Sequence, residues 1–537
     1  MSTTAETTAR PPPGPPRLSR SLSGTPTPPP IRMVHLGVGN FHRAHPAWYT
    51  AHAPDADQWG IAGFTGRRPD MAEALAPQDG LYTLITRSGQ GDAFELVGAL
   101  AAVHAATEHE QFLDYFSQPE LAIVTITVTE AGYLLDANGG LDTSRDVVVS
   151  DRDRLRSDPR ATVNCLPAKL VAGLLARRAA DAGALTILSC DNLPDNGAVA
   201  RTVVNDLAGL VDGSLVGWIE RHIDFATSMV DRITPATTDE DRSIVTDAQR
   251  YVDAYPVPTE PFSEWVVSGQ FPAGRPRWED AGAQLVADVA PYEQRKLWLL
   301  NGSHSLLAYA GSIRGHETID QAIADPVCRS WVEQFWDEAC RHLSQPASAL
   351  DDYRTALLAR FANPRVRHRL AQIAPDGSTK LLVRTLPTIR AERAAGRLPL
   401  GCATTVAGWV LHLRGLGVPI KDPGATAAQK AANAGQLPAA VPAVLEVLEP
   451  GLGADRDLST PSSHEQRNWI DDHQGEARHH RTGRAGIDVR GIHRGRDGAQ
   501  HGDRGHLRPQ PGESTACRVD IPRRSVLRRP PDDGEER

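Results

Sequence analysis

The residues Ile31-Arg32-Met33-Val34-His35-Leu36 run straight into Gly37-Val38-Gly39, and this junction restricts the chain more than any other part of its sequence. An apolar run, a GxG and then helix-compatible residues is how a dinucleotide-binding βαβ unit begins. The first glycine admits the tight turn, and the second lets a pyrophosphate approach the amides at a helix N-terminus. The third glycine of that pattern is absent, and His42 takes its place. Gly37, Gly39, Asn40, Phe41 and His42 are therefore the expected cofactor-binding residues. Beyond the next apolar run, Gly60 to Phe64, come Arg67, Arg68 and Asp70. Asp70 on the ribose hydroxyls implies NAD, and the arginines on a 2′-phosphate imply NADP. The expectation is NAD, with NADP left open.

From Ile31 to about residue 285, short apolar runs alternate with helical patterns. The clearest strands are 31–36, 121–128 and 184–189, with a helix over 168–182. Such alternation with fully apolar strands predicts an α/β fold, its mostly parallel sheet covered on both faces. From 286 to 455 helical patterns take over, at 291–310, 317–345, 349–361, 364–374 and 403–415. The expected organisation is a Rossmann-type domain over 31–285 and a mostly helical catalytic domain over 286–455. Residues 1–30, rich in Pro, Ser and Thr, read as a disordered leader, and 456–537 as an atypical disordered tail. The histidines of that tail, His479 and His480 among them, lack the fixed spacing that metal ligation needs, so no metal is expected.

Composition excludes several classes. A net charge of −9 over 537 residues gives no footprint for nucleic acid, and no run of 18 apolar residues offers a membrane span. The N-terminus lacks the pattern of a secretory signal, and the six cysteines are scattered without a CxxC pair. These features point to a cytoplasmic protein. Only five of the 57 basic residues are lysines: Lys169, Lys296, Lys380, Lys421 and Lys430. A retained lysine offers chemistry closed to arginine, whose guanidinium does not lose its proton at usable pH.

Lys296 stands out. At about 100° per residue, Glu293, Lys296, Asn301 and His304 fall within an arc of roughly 140° on a helix that is otherwise apolar. Asn301, Gly302 and Ser303 are poor helix formers, so local propensity is sacrificed there. Oxidising an alcohol requires a base for the hydroxyl proton as hydride leaves carbon, and a desolvated lysine meets that need. Amide and imidazole groups hold the developing oxyanion, and Glu293, one turn earlier, relays the proton.

Five segments then occur in order: Gly37 to His45 (GVGNFHRAH), Thr127 to Tyr133 (TVTEAGY), Cys190 to Gly197 (CDNLPDNG), Val230 to Pro235 (VDRITP) and Lys296 to His304 (KLWLLNGSH). Together they resemble the mannitol dehydrogenase family of polyol-specific long-chain dehydrogenases over residues 31–450. The resemblance implies a Rossmann-type NAD(P) domain, a helical domain carrying a catalytic lysine, and no metal. By motif, Lys296 resembles the general base, and Asn192 and Asn301 the pair that polarises the reacting oxygen. His304, Asp231 and Lys380 resemble substrate-hydroxyl ligands, and Glu293 the proton relay. Mannitol 2-dehydrogenases carry an arginine about eight residues before the lysine matched here by Lys380. This chain has Gln372, in a segment more like the fructuronate reductase branch.

The expected activity is interconversion of a polyol or aldonate secondary alcohol with its ketose or keto acid, of the mannitol/fructose class. Mannonate/fructuronate and mannitol 1-phosphate/fructose 6-phosphate stand as alternatives. A carboxylate or phosphate would need a further cation at the site, which no sequence feature locates. A silent nucleotide-binding regulator is the competing class, opposed by intact Lys296, Asn301 and His304. The expected partner is a small molecule; oligomeric state is not readable.

Overall fold

The computed structural model describes residues 14–22 and 24–459. Among the described residues there are eleven strands: β1 (Ile31–Leu36), β2 (Gly60–Phe64), β3 (Tyr82–Ser88), β4 (Gly91–Val97), β5 (Leu100–His104), β6 (Ile123–Ile126), β7 (Leu185–Ser189), β8 (Ile223–Asp231), β9 (Val257–Thr259), β10 (Glu264–Ser268) and β11 (Gln284–Leu285). Eight form one sheet in the order β11-β10-β8-β7-β6-β1-β2-β5, in which only the β10–β8 pairing is antiparallel. Chain direction across the sheet reverses at β1, which pairs with β2 on one side and β6 on the other. Ligands of such sheets bind at this switch, beyond the carboxyl ends of the strands.

Pleating explains why these strands read as continuous apolar runs. In β1, Val34 and Leu36 join a core with the helices Leu166–Ala179 and Asn196–Val211, while Met33 joins the core on the opposite face with Tyr49, Trp265 and Trp278. Both faces are covered, so both sets must be apolar. The three-stranded sheet β4-β3-β9 is an addition that the apolar pattern did not announce.

Three sequence expectations change. The leader is not disordered throughout, because residues 14–22 and 24–30 lie against the sheet region. Leu18 is fully buried and bonds through its amide to the Val252 carbonyl at 2.9 Å, and Arg20 donates to the carbonyls of Pro26, Gly98 and Leu100. One apolar anchor and a set of backbone bonds leave no periodicity to read. The tail begins later than 456: a short helix, Arg456–Ser459, buries Leu458 in the helical core. Its remainder, with the histidine cluster, lies outside the described residues.

The helix expected over 364–374 shrinks to Leu370–Ile373. Pro364 disfavours a helical Asn363, Arg367 takes a left-handed φ of 45°, and Thr318 bridges Arg369 in antiparallel fashion. Similarly, the pattern over 317–345 divides into Ile319–Ala324 and Pro326–Cys340 at the Asp325–Pro326 junction.

The helical region packs around Trp298, Leu307, Phe335, Trp336 and Trp409. No helix among the described residues is long and apolar enough to cross a membrane.

Candidate active site

The turn after β1 is built by steric necessity. Gly37 has φ +102°, and a Cβ there would stand 2.0 Å from the Thr127 carbonyl oxygen beyond β6. The two carboxyl-edge turns thus meet with no room for a side chain. Beneath them His35 clamps β1 to β6, its ring nitrogens 2.8 and 2.9 Å from the hydroxyls of Thr125 and Thr127. The Gly37 and Val38 amides bond to the Phe64 carbonyl, whereas those of Gly39, Asn40 and Phe41 have no partner among the described residues. A Cβ at Gly39 would meet nothing closer than 3.7 Å, so the space over these amides is open. Unpaired amides beside a glycine that admits close approach suit a pyrophosphate.

Two side chains of this segment have other work. The Asn40 amide donates to the Pro235 carbonyl at 2.7 Å and its oxygen accepts from Arg43, so it braces the loop after β8. The His42 side chain is turned into the interior. It is fully buried and stacked on His35 with ring centroids 3.3 Å apart, filling the helix–strand gap that a third glycine would close. Phe41 stacks on His45 at 5.0 Å. Asp70 is exposed in the first turn of the helix Asp70–Leu75, 3.5 Å from Arg68.

The lysine helix runs over residues 290–311, but it is not a plain α-helix: Lys296–Asn301 and Leu307–Gly311 are π-helical. An α-helix sets residues five apart about 140° around its axis. A π turn closes with an i→i+5 bond and brings Asn301 back towards the face of Lys296. At the end of the π turn the Leu299 carbonyl accepts from the Gly302 amide and also from the Ser303 hydroxyl at 2.5 Å and the Trp336 indole at 3.0 Å. Gly302 is required by packing, because a Cβ there would lie 2.6 Å from the Phe335 ring. The poor helix formers are explained by this local geometry.

Around Lys296 the expected residues converge at the carboxyl edge. Its Nζ donates to Asn192 Oδ1 at 2.6 Å, beyond β7, and to the Val230 carbonyl at 2.7 Å, near the end of β8. Asn192 is set by its neighbour Asp191, which accepts from the Val128 amide and the Tyr133 hydroxyl. Burial pushes the Lys296 amine below the usual lysine range, with Arg360 adding to the shift and Asp231, Glu264 and Glu293 opposing it. Burial likewise pushes Glu293 up, and its carboxylate accepts the Asp195 amide at 3.2 Å. His304 is buried with Nε2 unpartnered, and burial followed by the neighbouring His368, Arg360, Arg384 and Lys296 holds it well below the usual histidine range. The Asn301 amide makes no hydrogen bond among the described residues, although its backbone carbonyl accepts from Arg384 at 3.2 Å.

The other two candidates are held by the protein itself. Asp231 is buried with both oxygens on Arg360, at 2.7 and 3.0 Å, and Arg360 also bonds Glu260 at 2.8 and 3.0 Å. Lys380 donates to the carbonyls of Ile373 and Pro375 at 3.0 and 2.6 Å. Arg360, Glu260, His368 and Arg384 escaped the sequence reading, since nothing local distinguishes them from other charged residues. Away from this cleft, His316, Asp325 and Cys328 gather within 4.8 Å, yet Arg314 already bonds the Asp325 carboxylate at 2.6 Å.

Known proteins share this fold and order of domains. Residues 31–280 match the family described as the mannitol dehydrogenase Rossmann domain, and 288–459 the mannitol dehydrogenase C-terminal domain. D-mannonate oxidoreductase of Escherichia coli K12 is 39% identical over 396 residues, spanning 72% of this chain and 80% of that protein. Mannitol 2-dehydrogenase of Cereibacter sphaeroides is 36% identical over 431 residues, spanning 77% and 89%. Among solved structures, Pseudomonas fluorescens mannitol 2-dehydrogenase in ternary complex with NAD and D-mannitol superposes with a TM-score of 0.66 at 33% identity, covering 84% of this chain and 92% of that one.

Proposed function

The chain belongs to the mannitol dehydrogenase family, and from that premise we propose that it is an NAD-dependent oxidoreductase. On this reading it interconverts a secondary alcohol of a polyol or aldonate with the matching ketose or keto acid, with Lys296 as general base. The observation that carries the reading is the bonding of one nitrogen. A neutral amine has two N–H donors and one lone pair. Both donors of Lys296 have acceptors, Asn192 Oδ1 and the Val230 carbonyl, which leaves the lone pair for a substrate hydroxyl. Desolvation favours the neutral form that this requires.

NAD, when bound, supplies the acceptor for the hydride that leaves the carbinol carbon. The amides of Gly39, Asn40 and Phe41 are the groups that would hold its pyrophosphate. Lys296 Nζ takes the hydroxyl proton, so the alcohol loses one hydride and one proton and becomes a ketone. Because Asn192 Oδ1 faces Lys296, its NH₂ is left to donate to the reacting oxygen, with the Asn301 amide as second donor. Neutral His304 offers Nε2 to a substrate hydroxyl. Glu293, half-buried near Lys296, passes the proton towards solvent. Asp231 acts through its charge, held by Arg360, on the face of Lys296.

Following NADH absorbance with a panel of alditols and aldonates tests the reading. Turnover of at least one of them is expected; cofactor binding without turnover of any would indicate a nucleotide-binding regulator instead.

A further inference from the structure

The helix Gly377–Arg384 carries two cations one turn apart, Lys380 and Arg384, and neither forms an ion pair with a carboxylate among the described residues. Like charges at this spacing repel, and partial burial strengthens the repulsion. Burial pushes Arg384 down to about 10, and the only group opposing that shift is the Tyr309 phenol, which already donates to the Ala374 carbonyl. The carboxylates of Asp376 and Asp422 act on Lys380 through their charge without an ion-pair contact, and Asp422 is engaged by the amide and hydroxyl of Ser378.

Arg384, which is half-buried, also differs from the buried Arg177 and Arg232. Arg177 uses all three of its guanidinium nitrogens on six backbone carbonyls, and Arg232 likewise uses all three, on Ala44 and Glu260. Arg384 uses only Nη1, on the Asn301 carbonyl and the Ser305 hydroxyl, both at 3.2 Å. Nε and Nη2 form no hydrogen bond among the described residues. These contacts put the guanidinium against the lysine helix beside Asn301 and His304, two residues of the candidate site.

We propose that Arg384 and Lys380 form a carboxylate-binding pair, so that the substrate is an aldonate, a sugar acid, and not a neutral alditol. The proposal rests on the oxidoreductase reading above. Two parallel guanidinium N–H groups match the two oxygens of a carboxylate, and Lys380 adds a point charge one turn away. This is the extra cation at the site that an acidic substrate needs.

The test measures kcat/KM of the full chain with NAD on an aldonate, the corresponding alditol and the alditol phosphate. The wild type should prefer the aldonate at least tenfold. Arg384→Gln should reduce the aldonate-to-alditol ratio at least tenfold, mainly through KM for the aldonate, and Arg384→Lys should restore part of it. Because Nη1 braces the lysine helix, Lys380→Met, which leaves that brace intact, provides a second measurement of the same ratio. Turnover of alditols with no preference for the aldonate overturns the pair while the oxidoreductase reading stands. An unchanged ratio in both Arg384→Gln and Lys380→Met does the same. Preference for the phosphate overturns the carboxylate assignment. Turnover of none of the three defeats the oxidoreductase reading itself, and the pair with it.

Discussion

The turn after β1 and the lysine helix both lie at the carboxyl edge of the large sheet, yet they are built in opposite ways. At the turn the functional groups are backbone amides, and the side chains are spent on construction: His42 fills a gap, Asn40 braces a loop, and Gly37 has no room for a Cβ. On the helix the functional groups are side chains, and the backbone is deformed to aim them, through a π turn spanning Lys296 to Asn301. Changes at the turn should therefore act on cofactor affinity, and changes on the helix on the rate of chemistry.

The sharpest division is expected at Lys296. Removing a general base costs about 10²–10⁴ in rate, so Lys296→Ala should lower kcat by that order while the dissociation constant for NAD stays near that of the wild type. On the proposed reading the neutral amine is the active form, so the wild-type rate should rise with pH and level off as Lys296 deprotonates. Since burial lowers its pKa, the plateau should begin below the ordinary lysine range. In Lys296→Ala that limb should flatten. Lys296→Arg should fail as well, because arginine does not deprotonate. Near-normal kcat in Lys296→Arg would break the comparison and move the search for a base to His304.

Arg360 should reveal how far the helix site depends on distant residues. It holds Asp231 and Glu260 together in the interior, and removing one member of a buried charge set leaves the others uncompensated, at a cost of about 3–5 kcal/mol. Arg360→Met should lower the denaturation midpoint accordingly. Loss of the cation, which helps to depress Lys296, should also move the alkaline limb of the pH–rate profile upward where the variant still folds. A variant of unchanged stability would mean that Asp231 and Glu260 are solvated or protonated.

Gly37→Ala should act on the turn. The positive φ alone costs about 1 kcal/mol or more, and the overlap with the Thr127 carbonyl adds to it. The expected result is a raised KM for NAD with kcat reduced less. A kcat loss with unchanged KM would show that the turn positions the chemistry as well as the cofactor.

Legibility in the sequence follows the same division. Strand, GxG and helix are read locally because Gly37 reports a backbone constraint at its own position. Lys296, Asn301 and His304 were visible as unusual polar residues on an apolar helix, but their arrangement was not, because α-helical spacing misplaces Asn301 across a π turn. Arg360 and Arg384 were invisible for a different reason. Their meaning lies in partners 129 residues away at Asp231 and 83 residues away at Asn301, and no local pattern carries that. The leader escaped because Leu18 is a single anchor without a period.

The smallest effect concerns which nicotinamide cofactor is preferred, and it bears most directly on the turn. Amides that hold a pyrophosphate are indifferent to the 2′ position of the ribose, so discrimination has to come from the loop after β2. There Arg67, Arg68 and Asp70 are all exposed, and Asp70 lies 3.5 Å from Arg68. An acid at the ribose bonds its hydroxyls and repels a 2′-phosphate, whereas a free arginine attracts one. With Asp70 beside Arg68, the arginine is partly neutralised, which favours NAD. The expected preference in kcat/KM is about tenfold, or 1.4 kcal/mol, in line with a solvated contact and not a buried one. Asp70→Ala should narrow it from both sides, by weakening the ribose contact and by releasing Arg68. A tenfold preference for NADP in the wild type would assign the 2′ position to Arg67 and Arg68. The amide cradle at Gly39 to Phe41 would be untouched by that result, since it never reads the 2′ group.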